Sequence, residues 1–145
     1  MKQLSLVLGA CLALTTAGAS AQVAGYVKTT GGQASIVSAG KAVAAQPGTP
    51  VSVGDVVRTG ADGSLGITLK DNTMLSFGPS TTFTLEDFLF APAQGRLQLG
   101  GNIGTGSLQY VSGAIARLKP EAVKIKTPTG IIGVRGTRFV AVVQP

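Results

Sequence analysis

The chain has 145 residues, a formal net charge of +6, no histidine and a single cysteine, enough for one ordinary domain and not comfortably two. The missing histidine excludes Ser-His-Asp and Cys-His catalysis and histidine metal sites. High apolar content with little charge argues against a disordered chain.

The first 21 residues read as a leader. Met1-Lys2-Gln3 is a short positive start, Leu4 to Leu14 is an apolar core, and Ala19-Ser20-Ala21 is a small-residue cleavage site. This is the layout of a secretory signal peptide, too short to be a spanning helix. Leu8-Gly9-Ala10-Cys11 offers a second route, that of a lipoprotein, but the apolar run before Cys11 is short and continues past it. The expectation is therefore cleavage near Ala21, a periplasmic or secreted chain starting at Gln22, and no cysteine left for a disulfide. Beyond Gln22 no run of apolar residues is long enough for a transmembrane helix.

The remainder is punctuated by glycine and proline, 21 and 7 over the whole chain. Few uninterrupted runs are left for helices, so the sequence predicts an all-β fold in a single domain over 22–145. A turn at Gly31-Gly32 precedes a short strand over Ala34 to Val37, and Ser38 to Pro50 reads as a hairpin and loop. Gly54-Asp55 and Thr59-Gly60 bracket Val56-Val57-Arg58. The Asp55 carboxylate is best read as bonding nearby backbone amides in a turn.

Leu65, Ile67 and Leu69 alternate with smaller residues, Lys70 to Thr73 is a turn, and Leu75 and Phe77 form the return strand. Asn72 tolerates the left-handed backbone that such a turn needs. Gly78-Pro79-Ser80 turns the chain again before Phe83 and Leu85. Leu65, Leu75 and Leu85 thus fall ten apart, as a meander of hairpins or successive rungs of a β-roll would place them. A β-sandwich is the alternative. Glu86 and Asp87, as neighbours on a strand, are expected on opposite faces. Phe83, Phe88 and Phe90 read as core.

Ala91 to Gly106, the least patterned stretch, is expected to be a long loop with a short strand over Arg96 to Leu99. Ser107 to Val111 and Ala114 to Leu118 read as a strand pair around Ser112-Gly113. In the next segment Val123 and Ile125 face inward while Lys124 and Lys126 face out. Thr127 to Phe139 then reads TPTGIIGVRGTRF, with glycines at 130, 133 and 136. Strand, turns and strand suit that spacing better than a helix. From Phe139 to Val143 an apolar alternation closes the chain.

Two stretches carry a resemblance. TPTGIIGVRGTRF is similar to the closing motif of the FecR domain, a periplasmic module of bacterial cell-surface signalling. Val51 to Thr81 resembles the opening of that domain, with its Gly54-Asp55 step, its Thr59-Gly60 step and two strands around an Asp-centred turn. The core of the match runs over about 51–143, and the motif positions are Gly54, Asp55, Thr59, Gly60, Thr127, Pro128, Gly133, Val134, Arg135, Gly136, Thr137 and Phe139. The resemblance implies an all-β fold of solenoid character, which favours a roll. Family members of full architecture add a cytoplasmic anti-sigma region and one membrane helix, and relay receptor occupancy to a sigma factor. This chain shows neither addition and is not expected to relay a signal alone.

The chemistry expected is binding rather than catalysis. No cofactor, metal site, phosphate loop or calcium loop is legible, and no convergent pair of carboxylates can be assigned for glycoside hydrolysis. The basic residues concentrate after Arg96, which points to an anionic partner. Lys124, Lys126, Arg135 and Arg138 are the candidate partner-binding residues. Two partners fit: another envelope protein, or an anionic envelope polymer met by a C-terminal basic face. Nucleic acid is not expected for an exported chain.

Overall fold

A computed structural model describes residues 22–134 and 138–145. The proposed leader, including Cys11 and Ala21, lies outside the described residues, as do Arg135, Gly136 and Thr137.

One strand organises the rest. β9 (Arg96–Val111) is 16 residues long, and its two halves pair with different partners. The first half pairs antiparallel with β8 (Thr82–Ala91), from Ala91↔Arg96 to Thr82↔Thr105. The second pairs with β7 (Met74–Phe77), with Leu108 opposite Phe77 and Val111 opposite Met74. β12 (Arg138–Val143) runs antiparallel to Gly106–Val111, and β10 (Val123–Thr127) runs parallel to Leu99–Asn102.

From this spine the sheet extends both ways. Beyond β8 come β5 (Val56–Thr59), β2 (Ala34–Ser38) and β3 (Lys41–Ala44). Beyond β7 come β6 (Ser64–Leu69), β1 (Val23–Gly31) and β4 (Pro50–Ser52). β11 (Gly130–Gly133) closes a hairpin onto β10. The result is one curled sheet, a half-barrel, with its inward side chains in one apolar core.

The core follows the alternation in the sequence. Leu65, Ile67, Leu69, Leu75, Phe83 and Leu85 are all buried, and each such side chain contributes about 1.5–3 kcal/mol relative to exposure. The Phe77 and Phe83 rings meet at 5.0 Å, tilted by 44°. Tyr110 stacks on Phe139 with ring centroids 4.9 Å apart. Phe88 is buried and Phe90 is packed against the core, as expected for all three phenylalanines of that segment.

Three expectations are corrected. Ala91 to Gly106 is no loop: after a single 3₁₀ turn over Pro92–Gln94 it is the first half of β9. Its glycines mislead because glycine reads as a breaker, whereas here neighbours need the space. A Cβ at Gly101 would run into the Phe83 ring, and one at Gly106 into Thr81. Glycine inside a strand marks such close approaches.

Ala114–Leu118 is a five-residue helix, α1, not a strand. The sequence AIARL is made of good helix formers, and Ile115 and Ala116 are buried beneath it. Finally, the ten-residue spacing does not mark rungs of a roll or solenoid. β6 and β7 form a hairpin, but β8 leaves β7 to pair with β5 and β9. All pairings are antiparallel except β10 with β9.

Candidate interaction surface

The residues shared with the FecR pattern build the scaffold. Gly54 takes a φ of +93°, a conformation open to glycine and costly for residues with a Cβ. It starts the turn into β5. The Asp55 carboxylate, only 5% exposed, accepts the Ser52 N–H at 2.8 Å. Gly54 N–H donates to Leu85 O at 2.7 Å and Leu85 N–H to Asp55 O at 3.1 Å, which clasps the turn to β8. The Thr59 hydroxyl donates to Gly78 O at 2.7 Å and accepts Thr81 N–H at 2.9 Å. Gly60 N–H donates to Gln33 O at 2.8 Å, while its carbonyl accepts Ser80 N–H at 2.9 Å.

The closing motif begins the same way. The Thr127 hydroxyl donates to Gly130 O at 3.0 Å and accepts Gly130 N–H at 3.2 Å, holding Pro128 and Thr129 in a two-residue hairpin turn. Gly133 pairs with Lys124, and Val134 is 5% exposed. These positions shape turns and strand ends.

One buried cluster escaped the sequence reading. Asp71, 1% exposed, accepts Thr73 N–H at 3.0 Å, the Thr73 hydroxyl at 2.8 Å and Ile115 N–H at 3.1 Å. Its backbone carbonyl accepts Ala114 N–H at 2.8 Å. Asp71 therefore holds the first turn of α1, whose free N–H groups need acceptors, from 44 residues away. Only its role in the β6–β7 turn was legible. Tyr110 lies beside this cluster. Burial pushes its phenol above the ordinary value of 10.0; the polar Ser112 side chain opposes that, the Asp71 charge adds to it, and the Thr73 side chain opposes it again.

The candidate cations are divided by the fold. Lys124 and Lys126 stand exposed on β10, alternating with the buried Val123 and Ile125 as expected. The next strands over, β9 and β8, present Gly100, Asn102, Glu86 and Asp87. A bulge in β8 between Leu85 and Asp87 departs from strict alternation, so Glu86 and Asp87 line one groove together, contrary to the expectation of opposite faces. That groove, about 340 Å³, gathers Glu86, Asp87 and Glu121 with Lys119, Lys124 and Lys126. Lys126 Nζ lies 3.0 Å from Glu86 Oε2, and Asn102 Nδ2 donates to Glu86 Oε1 at 3.5 Å. The groove is mixed in charge rather than basic.

Arg138 sits elsewhere. It is exposed at the start of β12 opposite Val111, whereas Lys126 pairs with Asn102, nine positions back along β9. Near the other end of β12 lies an apolar cleft of about 450 Å³ between that strand and the β10–β11 turn. Pro128, Ile132, Ala141, Val142, Val143 and Gln144 line it with two threonines. Among the described residues no group of His, Cys, Asp and Glu could hold a metal ion.

The chain is a predominantly β half-barrel whose described signature residues serve its turns. Comparison with protein-family models matches residues 55–144 to the family described as FecR protein, and the chain belongs to that family. FecR proteins are a regulatory signalling family. Comparison with curated proteins and with solved structures gives no match. No helix among the described residues is long and apolar enough to cross a membrane.

Proposed function

We propose that this chain is an exported, non-catalytic binding or sensing module that recognises another protein of the cell envelope during signalling. The observation that carries this reading is the family match over 55–144, which covers both the Asp71 turn and the closing strands. The placement is periplasmic or secreted after cleavage near Ala21, in keeping with the periplasmic position of FecR domains in signalling proteins. Recognition falls to the C-terminal third, where Lys124, Lys126 and Arg138 supply exposed charge; Arg135, the fourth candidate, lies outside the described residues.

A protein partner fits the surface better than an anionic polymer. A polymer-binding face needs uncompensated positive charge, yet three carboxylates share the groove of Lys124 and Lys126, and Lys126 is already paired. Crosslinking of the tagged chain in intact cells, followed by identification of the product, tests the proposal. One discrete envelope protein is expected. Recovery of glycan or lipid alone, or of nothing above a tag-only control, refutes it.

A further inference from the structure

Three strands place opposite charges on the two sides of one glycine. Gly100 on β9 pairs with Asp87 on β8 and with Lys124 on β10, and all three line the same groove. Residues directly opposite in neighbouring strands project from one face, so a carboxylate and an ammonium flank a position without a side chain. The Asp87 carboxylate leans over that gap, since a Cβ at Gly100 would lie 2.8 Å from its Oδ2. The next row along the sheet is arranged differently. There Asn102 stands opposite Lys126, and Glu86 reaches across to Lys126 at 3.0 Å. That is the one ion pair among the described residues. One set of opposed charges is thus closed, while Asp87 and Lys124 stand apart.

The groove measures about 340 Å³, the lower end of the range for small-molecule sites. Lys119 and Glu121 bring its charges to three of each sign. A simple anion entering it meets three carboxylates, and a simple cation meets three ammonium groups. A molecule carrying both charges finds a partner at each wall. The walls are two strand spacings apart, roughly 10 Å between backbones. The ends of an extended dipeptide stand about 7 Å apart, within reach of both side chains. We propose that this groove binds a short zwitterionic peptide of about two residues with free termini, its ammonium on Asp87 and its carboxylate on Lys124. The peptide backbone lies over Gly100, where a side chain would obstruct it. This site goes beyond the protein-recognition reading above and does not depend on it, because a protein partner can be captured whether or not the groove is filled.

The test titrates the purified, isotope-labelled chain with three peptides: alanylalanine, its N-acetyl form, which lacks the ammonium, and its amide, which lacks the carboxylate. Backbone amide chemical shifts read both affinity and place. Alanylalanine is expected to shift the amides of Asp87, Gly100 and Lys124. Each blocked peptide is expected to bind about tenfold more weakly or worse, the loss of a hydrogen bond to a charged group, and high salt should narrow those gaps. Asp87→Asn is expected to bind alanylalanine and its acetyl form alike, and Lys124→Gln to bind alanylalanine and its amide alike. Both substitutions fall at exposed positions, and an unchanged spectrum away from the groove shows that the fold is kept. Gly100→Ala, which fills the floor without altering charge, is expected to weaken alanylalanine as well. Equal affinities for the three peptides, shifts centred outside the groove, or no shift at 20 mM alanylalanine overturns the proposal.

Discussion

Asp71 is the residue on which a single substitution should cost most. Its carboxylate is 1% exposed and accepts three hydrogen bonds, at 3.0, 2.8 and 3.1 Å. Asp71→Ala leaves the Thr73 and Ile115 amides buried without their acceptor, and each such orphan costs about 1–3 kcal/mol. A total loss of about 3–5 kcal/mol follows, after allowance for the solvation the carboxylate recovers on unfolding. Asp71→Asn keeps the shape, but its amide nitrogen must face one of the donors, for a loss of about 1.5–3 kcal/mol. In a domain of this size, 1 kcal/mol shifts the melting temperature by about 3–6 °C. Denaturant unfolding followed by circular dichroism reads both values. Amide exchange at Ile115 reads the local effect, because α1 is expected to loosen before the sheet does. Variants within about 1 kcal/mol of the parent, or an unchanged Ile115 amide, would show that Asp71 does not hold the helix.

The other predictions are smaller or more local. Gly101→Ala places a methyl against the Phe83 ring and should destabilise by about 1–3 kcal/mol through overpacking, where an open-space change such as Gly133→Ala should not; thermal melts of both separate steric need from chance. Removing the Lys126–Glu86 pair with Glu86→Gln should change stability by less than about 1 kcal/mol, since both side chains are partly solvated and exposed pairs contribute little; a larger loss in urea titration would mark the pair as structural. Tyr110 gives a pH signature. Its folded-state pKa is raised above 10.0, so the stability it contributes is fully present below that value and lost as pH rises through the higher folded one. Tyr110→Phe should flatten the alkaline decline of the melting temperature, and identical slopes in the two proteins would contradict the burial argument.

Much of the fold could be read before the structure, for reasons that are local. Alternation placed β6, β7, β10 and β12, because a half-buried strand repeats every two residues, and a glycine turn announced β2. Asp55 was legible as a turn residue because its hydrogen bond reaches only three residues away. What escaped depends on distant neighbours. Gly101 looks like a loop residue until Phe83 is seen lying across it, and AIARL becomes a helix in part because Asp71 supplies an acceptor from the far side of the sequence. The bulge that turns Glu86 and Asp87 into one groove leaves no mark in composition. The surface was half legible. Lys124 and Lys126 could be seen to face out, but not that carboxylates would share their groove, nor that Arg138 would stand opposite Val111.

β9 is shared by both halves of the sheet, and that has a consequence during synthesis. Until Val111 has emerged, β7 and β8 have no common neighbour to pair with, and β12 waits on the same strand. Hairpins made earlier therefore stay unsealed. The segment from Arg96 onward acts as a latch, so a nascent chain arrested ahead of it should remain a substrate for proteases and chaperones.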